Sequence, residues 1–198
     1  TLYASLANMD SDSMKVITVE DPVEYQLRGI NQIPVHSQIG LTFARALRSI
    51  LRQDPDIIMI GEMRDTETAQ IAVQSALTGH LVLSTLHTNT AAGAITRLQD
   101  MGVERFLITA AVNGVLAQRL VRKLCPECKV AVDLPSEVLK KTGLEPFMES
   151  GRHTIYEAAG CEDCKQTGYR GRMAIHELFV LDTAIQRAIL DGADAHQL

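Results

Sequence analysis

Residues 51–65 read LRQDPDIIMIGEMRD, and their centre, Ile57 to Ile60, is an unbroken apolar run between Asp56 and the polar group Glu62, Arg64 and Asp65. Such a run is too short for a helix. Continuous Ile and Met without alternation predicts a strand covered on both faces, as in the parallel sheets of α/β proteins. Val16 to Val19, and Leu81 to Leu83 with the adjoining Leu86, share the pattern. Helical patterns lie between and after these runs. Thr42 heads FARALRSILRQ, Asp65 heads TETAQIAVQSAL before Gly79, and Thr90 heads AAGAITRLQDM before Gly102. Thr and Asp accept hydrogen bonds from the first free N–H groups of a helix, and Gly ends one in the left-handed conformation. Strand and helix alternating three times predicts right-handed crossovers and a parallel sheet sandwiched between helices. TLYASL at residues 1–6 reads as a helix in progress, and a further helix is expected from Phe106 to about Gln118. Arg119 to Leu124 fits either its continuation or another strand.

The chain has 198 residues, enough for one large domain or a domain with a small satellite. It is 46% hydrophobic but only 4% aromatic, with no Trp, so the core must be built from aliphatic residues and Met. Nineteen Lys and Arg against 24 Asp and Glu leave a net charge of −5. No global basic field exists to hold nucleic acid, and no nucleic-acid partner is expected. No apolar run approaches the roughly 18 to 20 residues of a membrane-spanning helix, and the first residues lack the order of a signal peptide. The chain is therefore expected to be cytoplasmic. It begins at Thr1 rather than Met, which suggests a fragment cut inside a larger domain.

Four cysteines fall in two CxxC pairs, Cys125 with Cys128 and Cys161 with Cys164. Two such knuckles can supply the four sulfur ligands of a structural zinc site, and the long excursion between them costs little because loop entropy grows logarithmically. Disulfides are the weaker reading without a secretion signal. A closed tetracysteine site leaves no position open for water, so the zinc would be structural. His36, His153, His176 and His196 show no spacing that suggests a second metal, and His176 and Glu177 read as structural. Arg48 and Arg52, and Arg119, Arg122 and Lys123, read as solvated or interface faces.

Each of the three strand runs finishes in polar residues: Glu20 and Asp21, Glu62 and Arg64, His87 and Thr88. In open parallel sheets ligands bind outside the carboxyl ends of the strands. A carboxylate at the tip of a buried strand is also the Walker B arrangement, in which an acid holds or orients Mg²⁺ beside nucleotide phosphates. DIIMIGE is a permissive version, with Gly61 at the usual Asp position and Glu62 as the acid. His80, next to Gly79, could equally be a charge partner of the preceding helix end.

These residues resemble those of a known family. ITVEDPVEY (17–25) resembles the acidic box, LRQDPDIIMIGEMRD the Walker B region, and TGHLVLSTLHTNTAAGAITRL (78–98) the histidine box of the GspE/PulE-type secretion ATPases of type II secretion and type IV pilus assembly. CPEC and CEDC resemble the tetracysteine subdomain of the GspE and pilus-extension branch, which pilus-retraction members generally lack. The resemblance implies a RecA-like three-layer ATPase core, truncated at its N-terminus, with a small tetracysteine zinc subdomain. It implies a homo-hexameric motor that hydrolyses ATP with Mg²⁺, on the cytoplasmic face of the inner membrane. Its partners would be an inner-membrane platform protein and the cytoplasmic domain of an inner-membrane secretion or pilus component. Residue by residue, Glu20 matches the acid that polarises the attacking water and Glu62 the Walker B glutamate near Mg²⁺. His80 and His87 match the histidine-box positions that link the γ-phosphate to domain movement. Arg64 and Asp65 match the pair after Walker B, with structural or interface roles, and Asp21 and Arg64 complete the expected nucleotide-binding set.

One departure stands out. The family's phosphate loop, GxxxxGK[ST], is absent from these 198 residues. Without its N–H groups and lysine the phosphates lose their main cradle, so the fragment alone is expected to be inactive and its sheet incomplete at one edge. The expected organisation is an ATPase core over residues 1–124, a metal-binding subdomain over 125–170 and a helical return segment over 171–198. The competing reading is a non-catalytic, zinc-stabilised docking module of a secretion apparatus.

Overall fold

A computed structural model of the chain describes residues 1–9, 13–143, 146 and 154–198. The chain divides into two compact units, Thr1–Ala117 with Glu177–Leu198, and Gln118–His176.

The first unit is built on a four-stranded sheet of β1 (Val16–Glu20), β2 (Asn31–Pro34), β3 (Ile57–Ile60) and β4 (Leu81–Ser84), in the order β2-β1-β3-β4. All three pairings are parallel, with Val19 opposite Ile60 and Ile60 opposite Ser84. The three apolar runs are thus strands, and every residue of β1 and β3 is buried. Side chains alternate between the sheet's faces. Ile17, Val19, Ile58 and Ile60 pack with Ala46, Leu47 and Ile50 of α2 (Phe43–Ile50) and Ala72 of α3 (Thr66–Leu77). Val16, Ile57 and Met59 pack with Leu6 of α1 (Leu2–Leu6). Burial on both faces explains why these strands carry no polar alternation.

Helix starts follow their expected caps. Thr42 accepts from the Arg45 N–H and Asp65 from the Thr68 N–H. α4 (Gly93–Asp100) begins later than the AAGAITRL pattern suggests, although Thr90 Oγ1 does accept from the Gly93 N–H at 3.1 Å.

Three elements differ from expectation. β2 was not anticipated; it is an edge strand with no fully buried residue and Pro34 at its end, so it carries no apolar run. The helix expected from Phe106 to Gln118 is α5 (Arg105–Ala111) only. Val112 is extended, and from Gly114 the chain forms β5 (Gly114–Leu124), which settles Arg119–Leu124 as strand. A Cβ on Gly114 would lie 3.1 Å from the Phe179 carbonyl oxygen, so glycine permits this close approach. The helical segment expected over 171–198 is strand to Val180, within β8 (Tyr169–Val180), and helix only in α7 (Thr183–Asp191), capped by Asp182. β5 and β8 pair with each other, and the boundary between the units falls within both strands. In the first unit, Ile108 of α5 and Ile189 of α7 share a buried cluster with Ala69, Val73, Ile95 and Leu98.

In Gln118–His176 an antiparallel pair, β6 (Val130–Asp133) and β7 (Thr154–Glu157), accompanies α6 (Ser136–Thr142). Among the described residues of this unit only Cys125, Leu139, Cys164 and Gly168 are buried. His153 lies outside the described residues.

Candidate functional site

The parallel register brings the ends of β1, β3 and β4 to one edge of the sheet. Gly61 follows β3 and donates its N–H to the Val19 carbonyl at 2.7 Å. Its missing side chain matters here, because a Cβ would stand 3.3 Å from Val19 O and 3.4 Å from Glu20 Cα. The next strand tip is tied in turn: Thr85 Oγ1 donates to the Gly61 carbonyl at 2.7 Å, and the Met63 N–H to the Thr85 carbonyl at 3.1 Å. These bonds set the backbone that carries Glu20, Glu62 and His87.

Glu62 is the centre of a small charge cluster. Its Oε1 pairs with Arg64 Nη2 at 2.5 Å and its Oε2 with His87 Nε2 at 3.1 Å. The Glu62 side chain is 13% exposed, whereas Arg64 and His87 are 69% and 81% exposed, so a sheltered carboxylate is held by two solvated partners. The Arg64 hydrogen bond, opposed by burial and helped by His87, holds the Glu62 carboxyl below the usual glutamate range. Glu62 in turn, with a smaller contribution from Asp21, raises the Arg64 guanidinium. A carboxylate offers about four acceptor positions, and among the described residues two of Glu62's are used. The remaining two fit a hydrated Mg²⁺, which commonly keeps its waters and binds through one or two carboxylates.

Glu20 is 3% exposed, a carboxylate at the end of an apolar strand. It is tolerated because its oxygens are satisfied: Thr18 Oγ1 donates to Oε1 at 2.5 Å, Gln32 Nε2 to Oε1 at 3.1 Å, and the Tyr3 hydroxyl to Oε2. Neither Tyr3 nor Gln32 stands out in the sequence. They lie 17 and 12 residues from Glu20, and no periodicity links them to it.

His80 does not join this edge. It precedes β4, while His87 follows it, so they occupy opposite ends of one strand. His80 Nδ1 lies 2.9 Å from the Ser75 carbonyl and 3.2 Å from Thr78 Oγ1, fastened to the end of α3. Asp65 caps α3 through the Thr68 N–H and hydroxyl, both at 2.8 Å. Arg48 is paired with Glu67 on the surface. Glu177 accepts from the buried Ala91 N–H at 3.3 Å, within the loop that follows His87. His176 Nε2 lies 3.2 Å from Gln118 Oε1.

The second unit holds the cysteines. Their sulfur atoms all lie within 4.8 Å of one another, with Cys125–Cys161 at 3.9 Å, Cys128–Cys164 at 3.8 Å and Cys161–Cys164 at 3.7 Å. No pair is bonded as a disulfide. Thiolates about 2.3 Å from a tetrahedral zinc lie about 3.8 Å apart, so the cluster has the dimensions of that coordination shell. Main-chain N–H groups of Gly160 and Gly168 point at Cys128 and Cys164 sulfur at 3.3 and 3.1 Å, the kind of outer support that orients metal ligands. Burial pushes the Cys128 thiol up to about 12. At Cys164 burial acts the same way but is outweighed by N–H donors from Cys161 and Gly168, bringing it down to about 6.

Comparison with known proteins adds to this geometry. The sequence profile of the family described as "Type II/IV secretion system protein" matches residues 1–198. The chain is 54% identical over 192 residues to "Type II secretion system protein E" of Dickeya dadantii, covering 97% of this chain and 38% of that protein. It is 55% identical over 198 residues to "Type IV pilus assembly ATPase PilB" of Thermus thermophilus, covering 100% of this chain and 22% of that one. Among solved structures it is similar to the pilus retraction motor PilT with bound ADP, with a TM-score of 0.64 and 30% identity, covering 96% of this chain and 45% of that one. The chain thus spans less than half the length of these relatives.

Proposed function

The chain belongs to the type II/IV secretion system protein family and is similar to a type II secretion protein and a type IV pilus assembly ATPase, and from that premise we propose that its first unit is part of an ATP-hydrolysing motor. The observation that carries the reading is the gathering of Glu20, Glu62 and His87, on three separate strands' ends, at the sheet edge where α/β proteins bind ligands. In this reading the fold is RecA-like and the motor a homo-hexamer. It works on the cytoplasmic face of the inner membrane with a platform protein and a cytoplasmic domain of the secretion or pilus machinery. Among the described residues, no helix is long and apolar enough to cross a membrane.

Phosphoryl transfer requires positioning and charge stabilisation more than covalent chemistry. Glu20 holds a carboxylate that can orient a water and accept its proton. Glu62 is the residue to hold or orient Mg²⁺, which supplies charge neutralisation at the phosphates when bound. His87 bonds Glu62 while remaining open to solvent, so it can carry a signal between the metal carboxylate and the terminal phosphate. Arg64 keeps Glu62 ionised, with Asp21 beside it. His80, at the other end of β4, fastens α3 to the sheet. The phosphate loop is supplied by another part of the parent protein, so these 198 residues alone are inactive. The cysteines hold zinc as a structural ion in the second unit.

The test is phosphate release from Mg-ATP by the full-length protein. Glu20→Gln should lower the rate by about 10²-fold or more, the range for losing a general base. Unchanged release would remove the catalytic reading and favour a docking module.

A further inference from the structure

We infer that Tyr3 and Gln32 are positioning residues for Glu20, which clamp its carboxylate so that one acceptor position, on Oε2, is left for the attacking water. The inference rests on the catalytic reading of Glu20 given above. Oε1 receives two donors, Thr18 Oγ1 at 2.5 Å and Gln32 Nε2 at 3.1 Å, which fill its two lone-pair directions. Among the described residues, Oε2 receives only the Tyr3 hydroxyl. The remaining lone pair is therefore on Oε2, and its direction is set by where the phenol sits.

The clamp is itself supported. The Tyr3 oxygen accepts the Glu24 N–H at 3.1 Å, and its ring packs on Tyr25 with centroids 4.5 Å apart. Gln32 Oε1 accepts the Leu27 N–H at 2.7 Å, and its Nε2 also donates to the Tyr25 carbonyl at 3.1 Å. Both side chains thus grip the loop between β1 and β2 at the same time as Glu20. Burial, reinforced by Glu20, raises the Tyr3 phenol above its ordinary range, so it remains a donor throughout the working pH range. A carboxylate fixed by three donors has little freedom to rotate, which is what an oriented base requires.

The test uses the full-length protein with saturating Mg-ATP. Tyr3→Phe keeps the ring on Tyr25 and deletes only the hydroxyl; Gln32→Leu removes the amide at similar volume. Each should lower kcat by about tenfold or more, as displaced catalytic groups do, with KM for ATP within about twofold and the unfolding midpoint retained. Tyr3→Phe should cost nothing further in a Glu20→Gln background, because residues acting as one unit are not additive. If kcat is unchanged in both variants while Glu20→Gln is slow, the clamp is overturned and the catalytic reading of Glu20 stands. The clamp is equally overturned if KM rises as kcat falls, or if the midpoint falls with the rate. If Glu20→Gln alone turns over ATP at the wild-type rate, the catalytic reading fails and takes the clamp with it.

Discussion

The two units solve the same problem, keeping polar groups in fixed places, by opposite means. In Thr1–Ala117 with Glu177–Leu198, buried strands and helices make a core, and the proposed catalytic residues stand at its rim, where Glu20 and Glu62 are anchored to strand ends. In Gln118–His176 the polar groups are the centre. Two of the four residues buried among those described are cysteines of the cluster, and Leu139 is the one other buried side chain beyond glycine. With so little apolar surface buried among its described residues, this unit calls for a metal or another staple to offset the entropy of ordering its chain. The α/β unit draws its order from area removed from water, whereas in the proposed reading the second draws it from zinc–sulfur bonds.

The sharpest way to break this contrast is to remove the proposed zinc. Structural zinc contributes roughly 10–16 kcal/mol of apparent binding free energy at neutral pH, and in such sites binding is folding. Chelation, or Cys164→Ser, should expose amides around Cys125–Gly168 to rapid hydrogen exchange while those of Ile57–Ile60 stay protected. Loss of protection everywhere would contradict two separately stabilised units. The converse perturbation is Ile58→Ala at a position with no exposure. It should destabilise the α/β unit by roughly 3 kcal/mol and leave zinc content unchanged, measured by denaturant unfolding and metal analysis. Asp65→Ala, which removes the cap on α3, should cost about 1 kcal/mol in the same unfolding experiment, again without metal loss.

The smallest effect sharpens the rim itself. Arg64→Ala should raise the titration midpoint of the Glu62 carboxyl, followed by ¹³C-detected NMR, because the guanidinium bond is the main cause of its depression. The sign follows from linkage. The folded carboxyl holds its proton less readily than the unfolded one, so its ion pairs stabilise the protein above the ordinary glutamate value of about 4.3 and the contribution is lost as pH falls through the lower folded value. In Arg64→Ala that acid-side loss should be smaller.

What was legible in the sequence follows from the same contrast. Strands buried on both faces leave continuous apolar runs, so β1 and β3 could be read directly, and with them their polar tips; β4 shows the run LVL although none of its residues is fully buried. β2 was not legible because an edge strand of sequence NQIP needs no such run. The helix expected to reach Gln118 fails at Val112 because apolar residues after it fit a helical stripe and a strand equally well, and only pairing with β8 decides. The separation of His80 from His87 was readable in principle, since the strand Leu81–Ser84 lies between them. The Tyr3 and Gln32 hold on Glu20 was not, because it joins three distant segments through hydrogen bonds that leave no local pattern. The paired CxxC motifs announced the cluster because metal ligation demands fixed residue types at short spacing.

The most direct test of the account is to measure phosphate release and zinc content together on the full-length Glu62→Gln protein. The account predicts a full zinc complement with ATP turnover lowered by about 10- to 100-fold, the range for losing a group that orients a metal. Wild-type turnover in that variant would contradict it.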